Sequence, residues 1–166
     1  WRFRTSEAER TLTDQVLGQQ QMSVSRDLGD FIVAKADGTP GYQFTVVLDD
    51  HAMGVTEVLR GDDLIASAFR QLDLFDAFKC QPPTFAHVPL VTGPDGRRLA
   101  KRHGDTRLST LRDQGIAAEK LVGLLAESCG IRETPEPMTA RELLAGFCID
   151  KLPKQPFIYR DELMKR

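Results

Sequence analysis

The densest positive charge in the sequence follows directly after a Gly-Pro-Asp-Gly turn at residues 93–96. Four cations fall within six residues there: Arg97, Arg98, Lys101 and Arg102. A solvated basic surface loop is one interpretation of such a segment. The other is a mobile phosphate clamp, in which the Lys101 ammonium acts as a compact point charge on a polyphosphate and stabilises charge that develops in the transition state. The residues alone leave both interpretations open.

A second candidate is Arg60, which stands at the end of a predicted strand, before Gly61. Ligands of open α/β sheets gather at the carboxyl ends of the strands. A guanidinium at that place could hold a carboxylate through two parallel hydrogen bonds. An ion pair with Asp62 or Asp63 explains the same residue equally well.

Three further polar features carry less weight. Tyr42 could offer its phenol to a polar ligand, although an aromatic residue at the start of an apolar segment is more often part of the core. Residues 49–51, Asp-Asp-His, point in different directions in a strand or loop, so they predict capping or supporting hydrogen bonds rather than a metal site. His87 and His103 have no partner at ligand spacing. The sequence contains no dinucleotide fingerprint, P-loop or G-x-S-x-G motif.

The elements that must position these residues begin with a polar stretch to about residue 30, which predicts short β segments or irregular structure. Phe31–Lys35 then predicts a strand, residues 37–41 a turn, and Tyr42–Leu48 a further apolar segment. Val55–Leu59 predicts the strand before Arg60. Apolar residues then recur at helical spacing from Ile65 to Phe78, and two prolines end that helix.

The second half of the sequence is predicted to be mostly helical. Phe85–Val91 predicts one more strand, and Leu121–Cys129 forms one face of a helix that Gly130 ends. Thr139 and Glu142 have the spacing of a capping box ahead of another helix. A strand, a helix and a strand followed only by helices predict an α/β sheet portion with a helical C-terminal segment.

The composition is that of an ordinary globular protein. Of 166 residues, 41% are apolar and 28% charged, and 22 basic against 24 acidic residues give a net charge of −2. This balance excludes a protein that coats nucleic acid through bulk charge, but it allows a local basic site.

No apolar run approaches the roughly 20 residues of a membrane helix, and the first residues lack the apolar core of a signal peptide. The three cysteines form neither a disulfide framework nor a metal knuckle, which predicts a cytoplasmic location with no membrane partner.

Taken together and in order, these segments resemble a known family. Residues 42–64 closely resemble the catalytic domain of glutamyl-tRNA synthetases, and residues 85–91, 93–96 and 98–104 resemble the strand and K-M-S-K-S loop of the same class I enzymes. Those enzymes have an Asn four residues after the Tyr, whereas this sequence has Val46, as do the shorter glutamyl-queuosine tRNA(Asp) synthetases. The tail resembles the C-terminus of that shorter family. Because only 65 residues follow Lys101, we expect none of the anticodon-binding domains of the full-length enzymes in this sequence.

The resemblance implies a fold and a division of the chain. Residues 1–41 would be a β-rich polar insertion or connecting segment. Residues 42–104 would be the second half of a class I Rossmann-like nucleotide-binding domain with its K-M-S-K-S-like loop, and residues 105–166 a helical C-terminal segment.

The resemblance also implies a reaction and its residues. Glutamate would be activated by ATP, with Mg²⁺, as the adenylate and then transferred to the queuosine base of tRNA(Asp). Tyr42 and Arg60 would bind glutamate, while Lys101, as the catalytic cation, and Arg98 would bind ATP. No metal ligand is implied in this sequence, since the family's zinc segment lies upstream.

Two departures from the family pattern qualify these roles. Arg98 replaces the first Lys of the loop motif and keeps its charge, but Ala100 replaces the Ser and loses a hydroxyl. The H-I-G-H-type motif, the N-terminal glutamate contacts and the zinc segment have no counterpart in the sequence. We therefore expect a fragment of a larger enzyme that is inactive on its own, because half of a class I site cannot hold ATP in a reactive pose. Two such fragments could pair across an exposed sheet edge.

Two other hypotheses remain open at this stage. The chain could be the catalytic core of an ordinary glutamyl-tRNA synthetase that charges tRNA(Glu). It could also belong to a non-catalytic paralogue that uses the basic loop to bind tRNA or a protein partner, in which case RNA binding would weaken steeply with salt.

Overall fold

The computed structural model describes residues 1–99 and 107–159. The chain divides into two compact units, Trp1–Val88 and the part that starts at Pro89. This boundary falls within residues 42–104, and the three-segment division expected from the sequence stays a prediction.

Strands and helices are mixed along the described residues, in agreement with an α/β chain. The strands are β1 (Arg2–Phe3), β2 (Glu9–Asp14), β3 (Gly18–Ser23), β4 (Phe31–Ile32), β5 (Glu57–Gly61), β6 (Thr84–Val88), β7 (Val91–Thr92) and β8 (Phe157–Ile158). The α-helices are α1 (Tyr42–Met53), α2 (Ile65–Ala77), α3 (Leu108–Asp113), α4 (Ala118–Ser128) and α5 (Ala140–Gly146). Shorter helical turns cover Val24–Leu28, Asp62–Leu64 and Ile149–Lys151.

The centre of the first unit is the β5–α2–β6 segment, in which β5 and β6 pair in parallel. This confirms the strand–helix–strand prediction. The apolar face that helical spacing predicted for α2 is buried at Phe69 and Phe75, which are 1% and 2% exposed, whereas Phe78, just after the helix, is 41% exposed. Phe69 packs in one cluster with Phe85 of β6. Burying such side chains is the main favourable term that holds the strands and the helix together.

A β2–β3 hairpin covers this centre, which confirms the short β segments predicted for the polar N-terminal stretch. Residues of β2 alternate between exposed and buried, so that Leu12 joins the apolar cluster and Asp14 is only 3% exposed. The turn is attached to β6 by a hydrogen bond from the Gln15 N–H to the Phe85 carbonyl, 2.9 Å long. Asp14 is therefore carried to the end of β6.

Tyr42–Met53 is a helix, so the expectation of a strand or loop at residues 49–51 is wrong. The β-branched residues of this segment favour a strand only weakly, and tertiary packing overrides such preferences. Phe44 packs edge-on against Phe78, with the ring centroids 5.8 Å apart. The helix ends at Gly54, which takes the left-handed conformation and donates its N–H to the last carbonyls.

The second unit contains α3, α4 and α5 and the parallel pair β7–β8, so the segment that the sequence predicted to contain only helices also contains a strand, β8. The predicted capping box is present, since Thr139 Oγ1 accepts from the Glu142 N–H at 3.2 Å and Glu142 accepts from the Thr139 N–H at 2.7 Å. Helix α4 ends just before Gly130, as its pattern predicted. The single strand expected over Phe85–Val91 is instead two strands, β6 and β7.

All three cysteines are free thiols. Among the residues that the structure describes, no helix has the length and the apolar character needed to cross a membrane.

Candidate functional site

Arg60 lies near the carboxyl end of β5, directly opposite His87 of β6 in the parallel register. Its Nε donates to His87 Nε2 at 3.0 Å, and its Nη2 donates to Gln71 Oε1 at 2.9 Å. The guanidinium also lies over the Phe85 ring, 5.1 Å from the centroid. Strand position, two hydrogen bonds and an aromatic face thus hold the head group in one orientation. The sequence prediction that Arg60 stands at a strand end is confirmed.

The partners of Arg60 among the described residues are uncharged. A guanidinium has five N–H donors, and the two hydrogen bonds leave both hydrogens of Nη1 and one of Nη2. These partners differ from Asp62 and Asp63, the ion-pair partners that the sequence left open. Burial lowers the pKa of Arg60, while Tyr42, Asp50 and Asp14 act in the opposite direction. The side chain keeps its charge at neutral pH, so a carboxylate that meets its Nη atoms would find a positive charge with no bonded counter-ion.

His87 is completely buried, and Asp14 contacts the ring nitrogen that does not face Arg60. Its Nδ1 lies 2.6 Å from Asp14 Oδ2, and its backbone N–H also donates to that carboxylate. An Arg N–H can only donate, so His87 Nε2 must accept, and the ring proton must lie on Nδ1. His87 is thereby a neutral imidazole that donates to Asp14 and accepts from Arg60.

Asp14 is an ionised acceptor in this arrangement. Burial by itself raises the pKa of its carboxyl group, but hydrogen bonds from Leu17, His87 and Val16 outweigh that effect and lower the pKa below its ordinary value. The Val16 and Leu17 N–H groups donate to Oδ1 at 3.0 Å and 2.9 Å. The carboxylate therefore closes the hairpin turn and orients His87 at the same time.

On the other side of Arg60, two amides and a hydroxyl continue the network. Gln71 of α2 donates from Nε2 to Gln43 Oε1 at 2.9 Å, and Gln43 of α1 donates to Ser67 Oγ at 2.9 Å. Because Arg60 must donate to Gln71, each amide of the chain has only one orientation that satisfies its neighbour. The network connects β5, α1 and α2.

Tyr42 begins α1, next to Gln43, and is 56% exposed. The structure thus places this aromatic side chain at the surface, rather than in the core where the sequence favoured it. Val46 follows one helical turn later, so both residues lie on the same side of α1. Tyr42 and Gln43 also line an open groove of about 510 Å³, whose charged lining residues are Arg2, Lys35, Arg70 and Asp30.

The basic loop is described only in part. Lys101, the cation expected to bind ATP, lies outside the described residues. Arg98 belongs to the second unit, is exposed and bridges to Thr92 in antiparallel fashion after the predicted turn. The turn itself is present, with the Gly93 N–H donating to the Arg97 carbonyl at 2.8 Å. The expected convergence of Arg60 and Lys101 stays a prediction.

Asp49, Asp50 and His51 lie in the last turns of α1. Consecutive residues of a helix point about 100° apart, so these three side chains do not face one point. Within residues 1–99 and 107–159, no group of three or more potential metal ligands is present.

Four residues of the site were missed by sequence reasoning: Asp14, Gln43, Gln71 and His87. The signal for His87 was present, because two strands joined by one helix pair in parallel and place residues near their carboxyl ends side by side. The signal for Asp14 was weaker, since nothing in a polar hairpin indicates which strand it covers.

The comparisons with known proteins agree with one another. The family model described as tRNA synthetases class I (E and Q), catalytic domain, matches residues 1–165. A protein of Symbiobacterium thermophilum named glutamyl-Q tRNA(Asp) synthetase is 44% identical over 155 residues, which are 93% of this chain and 48% of the relative. One of the same name from Rhodopirellula baltica is 51% identical over 136 residues, 79% of this chain and 41% of the relative. The chain thus spans about half the length of these curated relatives.

Solved structures are similar over nearly the whole chain. A glutamate tRNA ligase from Elizabethkingia meningosepticum, crystallised in complex with its amino acid, superposes with a TM-score of 0.81 at 26% identity. The match covers 99% of this chain and 36% of the solved one. The glutamate-tRNA synthetase of Elizabethkingia anophelis gives a TM-score of 0.83, also at 26% identity, over 37% of its length.

Proposed function

Because this chain belongs to the class I (E and Q) tRNA synthetase catalytic-domain family, we propose that the full-length protein activates glutamate with ATP and transfers it to the queuosine base of tRNA(Asp). The α-carboxylate of glutamate attacks the α-phosphorus of ATP, pyrophosphate leaves, and the glutamyl group then passes from the adenylate to the base with release of AMP. This chain supplies the second half of the Rossmann-like domain, the K-M-S-K-S-like loop and a helical C-terminal segment.

The observation that carries this proposal is the state of Arg60. Its guanidinium is fixed by neutral acceptors, and both hydrogens of Nη1 with one of Nη2 remain for a ligand. Two parallel N–H donors match a carboxylate. Because the reacting carboxylate of glutamate must be free to attack phosphorus, a fixed clamp suits the other carboxylate of this diacid. Arg60 therefore holds the side chain of glutamate, and Tyr42 contacts the same substrate from the start of α1.

The loop cations take the nucleotide in this proposal. Lys101 faces the pyrophosphate that leaves, with Arg98 as a second cation, and Mg²⁺ accompanies ATP. An ammonium at this point stabilises charge that grows in the transition state. Support for these roles comes from the family membership and the loop motif.

The acceptor is proposed from two relatives, 44% and 51% identical, that are named glutamyl-Q tRNA(Asp) synthetases. A relative from Paramagnetospirillum magneticum named glutamate–tRNA ligase is 38% identical over 151 residues, which makes tRNA(Glu) the second candidate. Val46 favours the first, because it removes a polar side chain one turn from Tyr42 at a position where glutamyl-tRNA synthetases have Asn.

The test is a charging assay with the full-length protein, radiolabelled glutamate and purified tRNAs. We expect label on tRNA(Asp) that carries queuosine, and none on tRNA(Asp) with guanosine at that position or on tRNA(Glu). Charging of tRNA(Glu) would instead establish the second candidate. The absence of any glutamate-dependent ATP–pyrophosphate exchange, together with salt-sensitive RNA binding, would favour a non-catalytic paralogue.

A further inference from the structure

Asp14 and His87 form a buried pair behind Arg60, and no substrate atom needs to touch either of them. His87 is 0% and Asp14 3% exposed. Buried polar groups cost stability unless they are fully hydrogen-bonded, and here both carboxylate oxygens of Asp14 and both ring nitrogens of His87 have partners. Its connections lead from the hairpin turn, through the imidazole, to the Nε of Arg60.

We infer that Asp14 and His87 are positioning residues for glutamate binding: Asp14 holds His87 in the Nδ1–H tautomer, so that its Nε2 accepts from Arg60 Nε and aims the Nη atoms at the carboxylate. This inference rests on the proposed role of Arg60. It goes beyond that role because it assigns a task to two residues that lie behind the guanidinium.

The tautomer matters because only one of the two imidazole forms is compatible with Arg60. With the proton on Nε2, two N–H donors would face each other across the 3.0 Å between His87 and Arg60. The guanidinium would then have to rotate or withdraw. Held as it is, Arg60 has Nε engaged, which removes the side-on pair of Nε and Nη2 as a carboxylate fork and leaves the end-on pair of Nη1 and Nη2.

Asp14→Asn is the informative variant, because it replaces the acceptor that faces His87 Nδ1 with a donor and so favours the opposite tautomer of His87. The backbone N–H groups of Val16 and Leu17 donate to Oδ1, and that of His87 is shared between Oδ1 and Oδ2, so the amide oxygen of Asn takes the place of Oδ1, where it keeps all three donors. Its NH₂ group then faces His87 Nδ1, which must accept, and the imidazole proton moves to Nε2. The donor on Nε2 now opposes Arg60.

The first readout is the tautomer of His87. Side-chain ¹⁵N chemical shifts of the full-length protein report which imidazole nitrogen carries the proton, and His87→Gln assigns the His87 signals. We expect Nδ1–H in the wild type and Nε2–H in Asp14→Asn. A wild-type signal with the proton on Nε2 would overturn the inference, whatever values of KM for glutamate the variants have.

The second readout is the glutamate dependence of ATP–pyrophosphate exchange. Asp14→Asn should raise KM for glutamate about tenfold with KM for ATP unchanged, a change inside the range of coupling between members of one hydrogen-bond network. His87→Leu removes the imidazole through which the effect would pass, so in the His87→Leu background Asp14→Asn should leave KM for glutamate unchanged. An equal effect in both backgrounds would contradict a relay through the tautomer.

A matched control separates positioning from stability. Asp73 is a carboxylate in the same unit with the same 3% exposure, and it binds Arg10 at 2.7 Å. Asp73→Asn should lower stability and leave KM for glutamate unchanged. Asp14→Asn with a stability loss of similar size and an unchanged KM would overturn the inference. If instead Arg60→Ala leaves KM for glutamate unchanged, the proposed function fails, and the tautomer is still decided by the ¹⁵N shifts.

Discussion

Replacing Arg60 with alanine raises KM for glutamate by at least about 30-fold, the equivalent of about 2 kcal/mol. The reason is that it removes the half-buried cation that pairs with the side-chain carboxylate of glutamate in the proposed complex. KM for ATP changes little, since the cations proposed for the nucleotide belong to the basic loop. The preference for glutamate over glutamine falls as well, because only the carboxylate of glutamate gains from a cation at this place. Both constants are measured by ATP–pyrophosphate exchange with the full-length protein.

Arg60→Ala also leaves the buried acceptors of His87 and Gln71 without a donor, so its effect on folding has to be separated. Arg10→Ala is the matched control, because Arg10 is also half-buried and hydrogen-bonded to a buried side chain, that of Asp73. It should destabilise the first unit and leave KM for glutamate unchanged. Arg60→Lys keeps the charge but loses the planar fork, and an intermediate KM is expected. An unchanged glutamate requirement in Arg60→Ala would remove Arg60 from the site.

Replacing Gly123 with alanine has the largest expected effect on stability. Gly123 lies within α4 and is buried against the backbone of residues 135–136, where a Cβ would overlap with the carbonyl oxygen of Glu136. The same backbone segment is attached to α4 by a hydrogen bond from the Met138 N–H to the Glu119 carbonyl at 3.0 Å. A backbone cannot move aside as a side chain can, so we expect a loss of about 3 kcal/mol. The denaturant midpoint of unfolding measures it.

Gly146→Ala is the control for this prediction. A Cβ there meets a methyl group of Ile131 at 3.3 Å, which is the end of a side chain and can shift. Its effect should stay within about 1 kcal/mol and could be stabilising, because alanine restricts the unfolded chain. Equal midpoints for the two variants would show that the close approach of α4 to residues 135–136 contributes nothing to stability.

The sequence predicted those parts of the fold whose cause is local. The helical spacing from Ile65 to Phe78, the capping box at Thr139 and the Gly-Pro-Asp-Gly turn each depend on a few neighbouring residues, and each is present. The helix over Tyr42–Met53 was missed, because its apolar residues show little periodicity and its β-branched residues point weakly to a strand. What decides it is packing against α2, where Val47 is fully buried in one cluster with Leu74 and Phe75, which a single sequence does not display.

The residues of the candidate site also differ in whether the sequence alone could predict them. Arg60 could be predicted from its place at a strand end, and the resemblance to a known family indicated Tyr42. Asp14 could not, since its 2.6 Å contact with His87 joins residues 73 positions apart. Without the pairing of β5 and β6 and the docking of the hairpin, a lone His and a lone Asp are ordinary polar residues. The network that fixes the guanidinium is a property of the tertiary structure.

The account depends on Arg60 as the carboxylate clamp, and a crystal structure of the full-length protein with bound L-glutamate tests it most directly. The predicted result has the two oxygens of the glutamate side chain about 2.8 Å from Nη1 and Nη2 of Arg60, with Nε still donating to His87. A complex in which both carboxylates of the ligand are bound elsewhere, and Arg60 contacts only His87 and Gln71, would contradict it.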